Sequence, residues 1–165
     1  STVQMTPHAI SRQEFQLLME QGHLDERAQL IDGQIYDAVN ASPAHNILVH
    51  NLCRELRKIR GYDFVWEEKS IFIDQDSPLP DITVLSAPPA DGEVTPDMIE
   101  CLIEVSKSTL AFDMTNKAEQ YKDSGAYAVV DVDGKRWLVP EGCTGPQQDI
   151  CEVLDQLVGP RHRDN

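Results

Sequence analysis

Basic residues are scarce in this chain of 165 residues. Lysine and arginine together number 14 against 28 aspartates and glutamates, so the formal net charge is −14. Affinity for nucleic acid comes largely from neutralising phosphates, and this composition opposes such a role without excluding it. Cations do cluster locally between Arg54 and Arg60. An enzyme acting on a small anion, or a purely structural domain, fits the overall charge equally well.

Long apolar runs and an export signal are also missing. No stretch reaches the length of a membrane span, and the N-terminus has no basic region followed by an apolar one. We therefore expect a cytoplasmic protein with no membrane partner. The length is typical of one domain, so we expect residues 1–165 to form a single domain with a flexible tail over residues 159–165.

Cysteines in metal-binding arrangements are missing as well. The four cysteines contain no Cys-x-x-Cys pair, and none of the five histidines lies at ligand spacing from a cysteine. Cys53 and Cys101 fall within apolar patterns and are predicted to be small core residues. The sequence therefore does not favour a zinc site.

The first third of the chain shows clear helix and turn signals. Ser11 and Glu14 form a capping box that starts a helix, and Gly22 is its predicted end. Asp32-Gly33 is a turn signal within a β-hairpin predicted over residues 28–39. Ser42-Pro43 starts a second helix, which ends at Gly61. Its predicted buried stripe consists of Leu48, Leu52, Leu56 and Ile59.

The remainder predicts strands alternating with helices. One bent strand or two short ones are predicted over residues 62–74, and residues 86–97 form a surface loop. Further strands are predicted over residues 81–85, 101–105, 127–132 and 135–139, and helices from Asp113 to Gly125 and over residues 150–158. This order predicts an α/β (mixed α+β) domain whose mixed β-sheet is flanked by helices, with a helix and a hairpin at its N-terminus.

Two acids are set into short apolar strands. Asp81 follows Pro80 and opens the run Ile-Thr-Val-Leu, and Glu104 lies inside Cys101-Leu-Ile-Glu-Val105. An acid within a strand core is costly unless it is paired or binds a metal. Two such acids in neighbouring strands can share one divalent cation through their carboxylate oxygens. Oxygen ligands are those that magnesium prefers. For either acid alone, a strand cap or a buried ion pair is the more common explanation.

A lysine on the following helix favours the catalytic explanation. Lys117 adjoins the predicted buried stripe of its helix and can point over the sheet toward Glu104. A cation held by carboxylates lowers the pKa of bound water, and a nearby ammonium stabilises a phosphate. Lys107 is the competing lysine, although strand alternation points it to the face opposite Glu104. These residue types together predict a magnesium-dependent phosphodiesterase site.

Several stretches of the chain resemble a known family. They are Ile10–Phe15 with Gly22, Leu30-Ile-Asp-Gly-Gln34, Ser42-Pro43-Ala44-His45, Leu79-Pro-Asp-Ile-Thr-Val84, Leu102–Leu110 with Asp113, and Lys117 with Tyr121 and Gly125. Over roughly residues 5–139 the chain resembles the Uma-two family of putative restriction endonucleases, within the PD-(D/E)XK nuclease superfamily.

The resemblance implies a restriction-endonuclease-like core and a metal-dependent endonuclease that hydrolyses DNA, with Mg²⁺ or Mn²⁺ as cofactor. It implies that Asp81 and Glu104 bind the metal, and that Lys117 takes the role of the usual lysine. That lysine normally stands two residues after the acid, where this chain has Ser106. Gln29 replaces a glutamate that the family usually carries, so metal affinity is expected to be lower. Gln29 and His45 are accessory candidates that line the cleft.

Two alternatives stay open at this stage. One is a nuclease fold that has lost activity and serves as an interaction module, with a homodimer as the expected assembly. Gln29 and the acidic surface favour it. The other is a small-molecule hydrolase or an unrelated structural domain, which would gain if Asp81, Glu104 and Lys117 lay far apart.

Overall fold

A computed structural model describes residues 3–38 and 40–163 of the chain. The elements alternate between helices and short strands, as the sequence predicts. They are α1 (Arg12–Glu20), β1 (Gln29–Ile31), β2 (Gln34–Tyr36), α2 (Pro43–Arg60), β3 (Val65–Glu67), β4 (Ile82–Leu85), β5 (Ile99–Ser106), α3 (Leu110–Met114), α4 (Asn116–Tyr121), β6 (Ala126–Asp131), β7 (Arg136–Leu138) and α5 (Gln148–Leu157), with 3₁₀ turns at Tyr62–Phe64 and Pro96–Met98.

Five strands form one mixed sheet in the order β3-β4-β5-β6-β7, and β1 and β2 form a separate hairpin. The pair β5 and β6 is parallel, and the other neighbouring pairs are antiparallel. The central strand β5 is buried along nearly its whole length, which explains its continuous apolar run. The predicted mixed sheet with flanking helices is confirmed.

Alternation along β5 sends neighbouring side chains to two different cores. Cys101, Ile103 and Val105 face a core that α2 and α5 cover, where Leu52 and Leu154 are fully buried. Leu102 faces the opposite core, which includes residues of α4. Glu104 and Ser106 belong to that second side by the same alternation. Glu104 therefore lies on the face of the sheet that α4 covers.

The caps that the sequence predicts begin and end the first two helices. The Ser11 side chain accepts from the Glu14 amide, and the Glu14 carboxylate accepts from the Ser11 amide, so the capping box is complete. The Ser42 side chain accepts from the His45 amide at the start of α2, and Gly61 caps its end. Within α2, Leu52 and Leu56 are buried as predicted, whereas Ile59 is 38% exposed. The apolar stripe instead continues through Val49 and Cys53, because the helix turns these toward the sheet.

Two local predictions differ from the structure, and a third cannot be compared with it. Residues 69–74 form no strand and hold only one bridge, between Ile73 and Asp76, because the chain leaves the sheet after Glu67. The single helix predicted from Asp113 is two short helices that meet at Thr115, whose ψ of −74° breaks the regular path. The predicted end of the hairpin at Val39 lies outside the described residues.

The last described residues contact the edge strand β7. The His162 amide donates to the Trp137 carbonyl at 2.7 Å, and the Arg161 guanidinium lies 5.6 Å from the Trp137 ring centroid. These contacts hold two residues of the tail that the sequence predicts to be flexible. Among the described residues, no helix is long and apolar enough to cross a membrane.

Candidate active site

Asp81 and Glu104 meet where strands β4 and β5 pair. The register pairs Ile82 with Ile103, so Asp81 lies one step beyond this pair, beside Glu104. The Asp81 amide donates to Glu104 Oε1 at 2.8 Å, and the Val105 amide donates to Asp81 Oδ2 at 2.7 Å. The backbone of each strand thus orients the acid of the other. The structure brings these two predicted residues together.

Lys117 reaches the same place from α4. Its Nζ donates to Glu104 Oε2 at 2.5 Å, and both side chains are almost completely buried. Burial raises the pKa of Glu104, and the Lys117 ammonium counteracts part of that rise. An isolated carboxylate would be costly at this depth, so the ion pair allows Glu104 to carry charge in the core.

Gln29 completes the surroundings of the lysine. Its side-chain oxygen accepts from Lys117 Nζ at 2.8 Å and from the Leu79 amide at 2.9 Å. A neutral amide oxygen satisfies both donors without competing strongly for the ammonium. These contacts of Gln29 help to keep Lys117 directed at Glu104.

His45 lies on the other side of Asp81. Its Nε2 is 3.4 Å from Asp81 Oδ2, and its Nδ1 is 3.2 Å from Asn46 Oδ1. The hydrogen bond to Asp81 raises the pKa of His45 to about 9, because it stabilises the protonated ring. The protonated ring of His45 therefore places a positive charge against Asp81.

Glu68 is a neighbour of Asp81 that sequence reasoning missed. It follows β3 directly, and its amide donates to the Asp81 carbonyl at 2.9 Å. Its φ of +51° is uncommon for a residue with a side chain, and such strain tends to occur at functional sites. One feature of the sequence could have indicated Glu68. It is an acid directly after a short strand, β3, and that strand pairs with β4, the strand that follows Asp81.

His45, Glu68 and Asp81 offer ligand atoms that all lie within 4.8 Å of one another. Once His45 has lost its proton, one imidazole nitrogen and two carboxylate oxygens suit a divalent cation, and the nitrogen favours Mn²⁺ over Mg²⁺. The donor set therefore fits a metal ion centred on Asp81. Glu104 does not belong to this cluster of three, and its two oxygens accept hydrogen bonds from the Asp81 amide and from Lys117.

A cavity of about 480 Å³ opens over these groups. Asp81, Glu104 and Lys117 all line it, together with His45 and Gln29. Its far wall is formed by residues of the hairpin and of α3, including Tyr36 and Phe112. A concave site with convergent polar groups and perturbed pKa values is the expected form of an active site.

Comparison with known proteins places the chain in a family. The model of the Uma-two (Uma2) family, described as putative restriction endonuclease, matches residues 12–157, which span the whole sheet and all five helices. The chain belongs to this family. Membership supports a nuclease function in general, and it confirms the resemblance on which the sequence-based hypothesis depends.

A solved structure shares the fold of this Uma2 protein. It is the crystal structure of a putative nuclease of the DUF820 family from Anabaena variabilis, with a TM-score of 0.61 at 18% identity. The similarity covers 84% of this chain and 81% of the other one. At this identity the likeness establishes the nuclease-like fold alone. No curated protein matches the chain.

Ser106 stands two residues after Glu104, at the position where the resemblance implied a lysine, and its side chain forms a hydrogen bond within the protein. Its hydroxyl donates to Asp113, which also accepts from the Thr109 hydroxyl at 2.8 Å. The Tyr127 hydroxyl donates to the Asp113 carbonyl at 2.7 Å. Burial raises the pKa of the Asp113 carboxyl, and the hydrogen bonds from Ser106 and Thr109, together with the charge of Lys117, counteract the rise. The cluster anchors α3 to the sheet and thereby sets the start of α4, which carries Lys117.

Lys107, the competing lysine, is directed elsewhere. Its Nζ contacts Asp133 at 2.6 Å, and its side chain is 39% exposed. The residue lines the rim of the cavity, but its charge is paired with an acid of the β6–β7 turn. Strand alternation predicted this divergence from Glu104.

Proposed function

We propose that this Uma2 protein is a metal-dependent endonuclease that hydrolyses phosphodiester bonds of DNA. The observation that carries the proposal is the convergence of Asp81, immediately before β4, with Glu104 of β5 and Lys117 of α4 in the lining of one cavity. Family membership supports the nuclease chemistry, and the oxygen-rich donor set supports the metal.

The residues have separate roles in this proposal. Asp81, with His45 and Glu68, would hold a divalent cation, and Glu104 would add an oxygen from the floor of the site. Such a cation supplies Lewis-acid chemistry: it lowers the pKa of a coordinated water and offsets negative charge on the phosphate. Lys117 directs an ammonium into the cavity beside Glu104, where it stabilises negative charge that develops on a phosphate oxygen.

Cleavage of labelled DNA in Mg²⁺ and in Mn²⁺ tests the proposal. We expect cleavage that a chelator abolishes, with Mn²⁺ at least as effective because of the His45 nitrogen. Asp81→Asn and Glu104→Gln keep the size of each side chain and should lower the rate about 10²- to 10³-fold. Glu152→Gln, at an exposed position of α5, is the matched control and should leave the rate unchanged. Equal cleavage by Asp81→Asn would refute the site.

One observation favours a second function, a weakened nuclease that acts as a binding module in a homodimer. Both oxygens of Glu104 already accept hydrogen bonds, from the Asp81 amide and Lys117, so this acid has reduced capacity for a metal. Calorimetric titration with Mn²⁺ and sedimentation analysis separate the two functions. A dimer that binds no Mn²⁺ and cuts no DNA would favour the module over the nuclease.

A further inference from the structure

An aromatic pair forms part of the wall of the catalytic cavity. Tyr36 comes from β2 and Phe112 from α3, and their ring centroids are 5.2 Å apart with planes tilted by 54°. Both side chains are only partly buried, and both line the cavity that contains Asp81 and Glu104. Two elements far apart in sequence therefore place apolar ring surface in the same cavity as the carboxylates.

The arginine and the two lysines that line this cavity, among the described residues, are each paired with an acid. Arg27 contacts Glu68 at 3.1 Å, Lys107 contacts Asp133 and Lys117 contacts Glu104. Double-stranded DNA is bound chiefly through the neutralisation of several phosphates, which needs free cations over an extended surface. The chain as a whole carries a net charge of −14. A duplex therefore lacks its main source of affinity at this site.

Stacking of a base on an aromatic ring does not depend on free cations. It contributes on the order of 1–3 kcal/mol per base and is available only where a base is unpaired. A cavity of about 480 Å³ falls within the range that holds a small organic ligand such as one nucleotide. The aromatic rings thus suit the base of one nucleotide, and the charged groups of the same cavity suit its phosphate once a metal ion is bound.

We propose that the substrate is single-stranded DNA, with one unpaired base packed against Tyr36 and Phe112 and the adjoining phosphate over Asp81, Glu104 and Lys117. This inference rests on the proposed nuclease function and specifies its substrate class. The aromatic pair acts as a binding surface, while the charged groups carry out the chemistry.

Fluorescence anisotropy with a short labelled oligodeoxynucleotide tests the inference. The same sequence is titrated as a single strand and as a blunt duplex, with Ca²⁺ as the metal and a gel to confirm that the probe stays intact. We expect the single strand to bind about tenfold more tightly than the duplex. Equal binding, tighter duplex binding or no binding of either probe would overturn the inference.

Variants assign the binding to the aromatic pair. Phe112→Leu keeps apolar volume but removes the ring, and it should weaken single-strand binding about tenfold. Tyr62→Leu is the matched control, because Tyr62 is 76% exposed and lies outside the cavity, and it should bind as the unaltered protein does. Unchanged affinity in a folded Phe112→Leu protein contradicts the inference.

A measurement on the unaltered protein covers the case in which Phe112→Leu does not fold. A single strand containing 2-aminopurine loses fluorescence when the base stacks on an aromatic ring. We expect quenching on binding, and binding without quenching overturns the inference.

Cleavage assays with Mn²⁺ separate this inference from the nuclease proposal. If duplex DNA is cut as fast as single strands and Glu104→Gln abolishes the cutting, the nuclease stands and the substrate class is wrong. If single strands bind and quench 2-aminopurine but no DNA is cut, the binding inference stands and the nuclease proposal fails.

Discussion

Glu104 is the residue whose environment most constrains the chemistry. Its carboxylate is held between a lysine and a backbone amide, in a position that is 4% exposed. Removing one partner of a buried ion pair leaves an uncompensated charge, which is much more costly than replacing both partners together. Replacing Lys117 alone should therefore reduce both stability and activity, whereas replacing Lys117 and Glu104 together should restore stability without restoring activity.

Lys117→Met should lower the free energy of unfolding by about 3 kcal/mol, because Glu104 is left unpaired in the core. The double variant Lys117→Met with Glu104→Gln should regain much of that stability while remaining inactive. Urea unfolding and a cleavage assay measure the two effects. Lys107→Met is the control, since Lys107 pairs with Asp133 at the surface, and it should change stability by less than about 1 kcal/mol. A recovered rate in the double variant would argue against a catalytic lysine.

His45 should make the metal-free protein sensitive to alkali. Its pKa is raised from 6.5 to about 9 in the folded state by the hydrogen bond to Asp81, so the folded protein holds this proton more tightly than the unfolded chain. The resulting stabilisation is fully present below pH 6.5 and is lost as the pH rises through about 9. Its upper limit is about 3 kcal/mol.

Urea unfolding in the presence of a chelator, below pH 6.5 and above pH 9, measures this effect. The unaltered protein should lose more stability over the interval than His45→Gln, which cannot titrate there. An identical pH dependence of the two proteins would show that His45 is not protonated against Asp81.

At the scale of elements, Gly125 marks the tight entry from α4 into β6. Its φ is +75°, and a Cβ built there would lie 2.5 Å from the Ile99 carbonyl oxygen. Gly22, at the end of α1, has nearly the same φ of +76° but nothing within 4 Å of such a Cβ. The two glycines have nearly the same φ and differ in the space around them.

Gly22→Ala should therefore cost about 1–2 kcal/mol, the usual penalty for a left-handed residue with a side chain. Gly125→Ala should cost roughly 3 kcal/mol or more, because backbone atoms of β5 must also shift. Urea unfolding of both variants measures the difference. Similar losses at the two positions would mean that the parallel pairing of β5 with β6 adapts to the extra methyl group.

At the scale of the whole molecule, the excess of acids opposes folding. With a net charge of −14, the compact state repels itself more strongly than the expanded chain does. Salt weakens this repulsion, since the Debye length falls from ~30 Å at 0.01 M to ~8 Å at 0.15 M. Salt also weakens the exposed ion pairs, but each of them contributes little to the free energy of unfolding.

We expect the thermal midpoint of unfolding to rise by a few degrees over that salt range, which corresponds to ~1 kcal/mol for a chain of this size. Differential scanning calorimetry in NaCl measures it. Replacing the exposed acids Glu20 and Glu152 with glutamine should raise the midpoint at low salt and reduce the response. A midpoint that falls with salt would show that attractive ion pairs outweigh the repulsion.

Local signals in the sequence account for much of the fold. The capping box at Ser11 and Glu14, the Ser42-Pro43 start of α2 and the apolar run of β5 each depend on neighbours within a few residues. The alternation of β5 likewise predicts that Glu104, and not Lys107, faces α4. Such short-range patterns can be identified from the sequence without knowledge of the fold.

Spacing and periodicity are properties of the linear chain, and they predict strands with embedded acids ahead of a helix that carries Lys117. The meeting of His45 and Glu68 with Asp81 follows from the fold, since three separate elements must pack before these side chains come together. The fold sets further features that no spacing predicts. It also decided the break at Thr115 and the meeting of Tyr36 with Phe112. These features depend on contacts between residues distant in sequence, which no local pattern encodes.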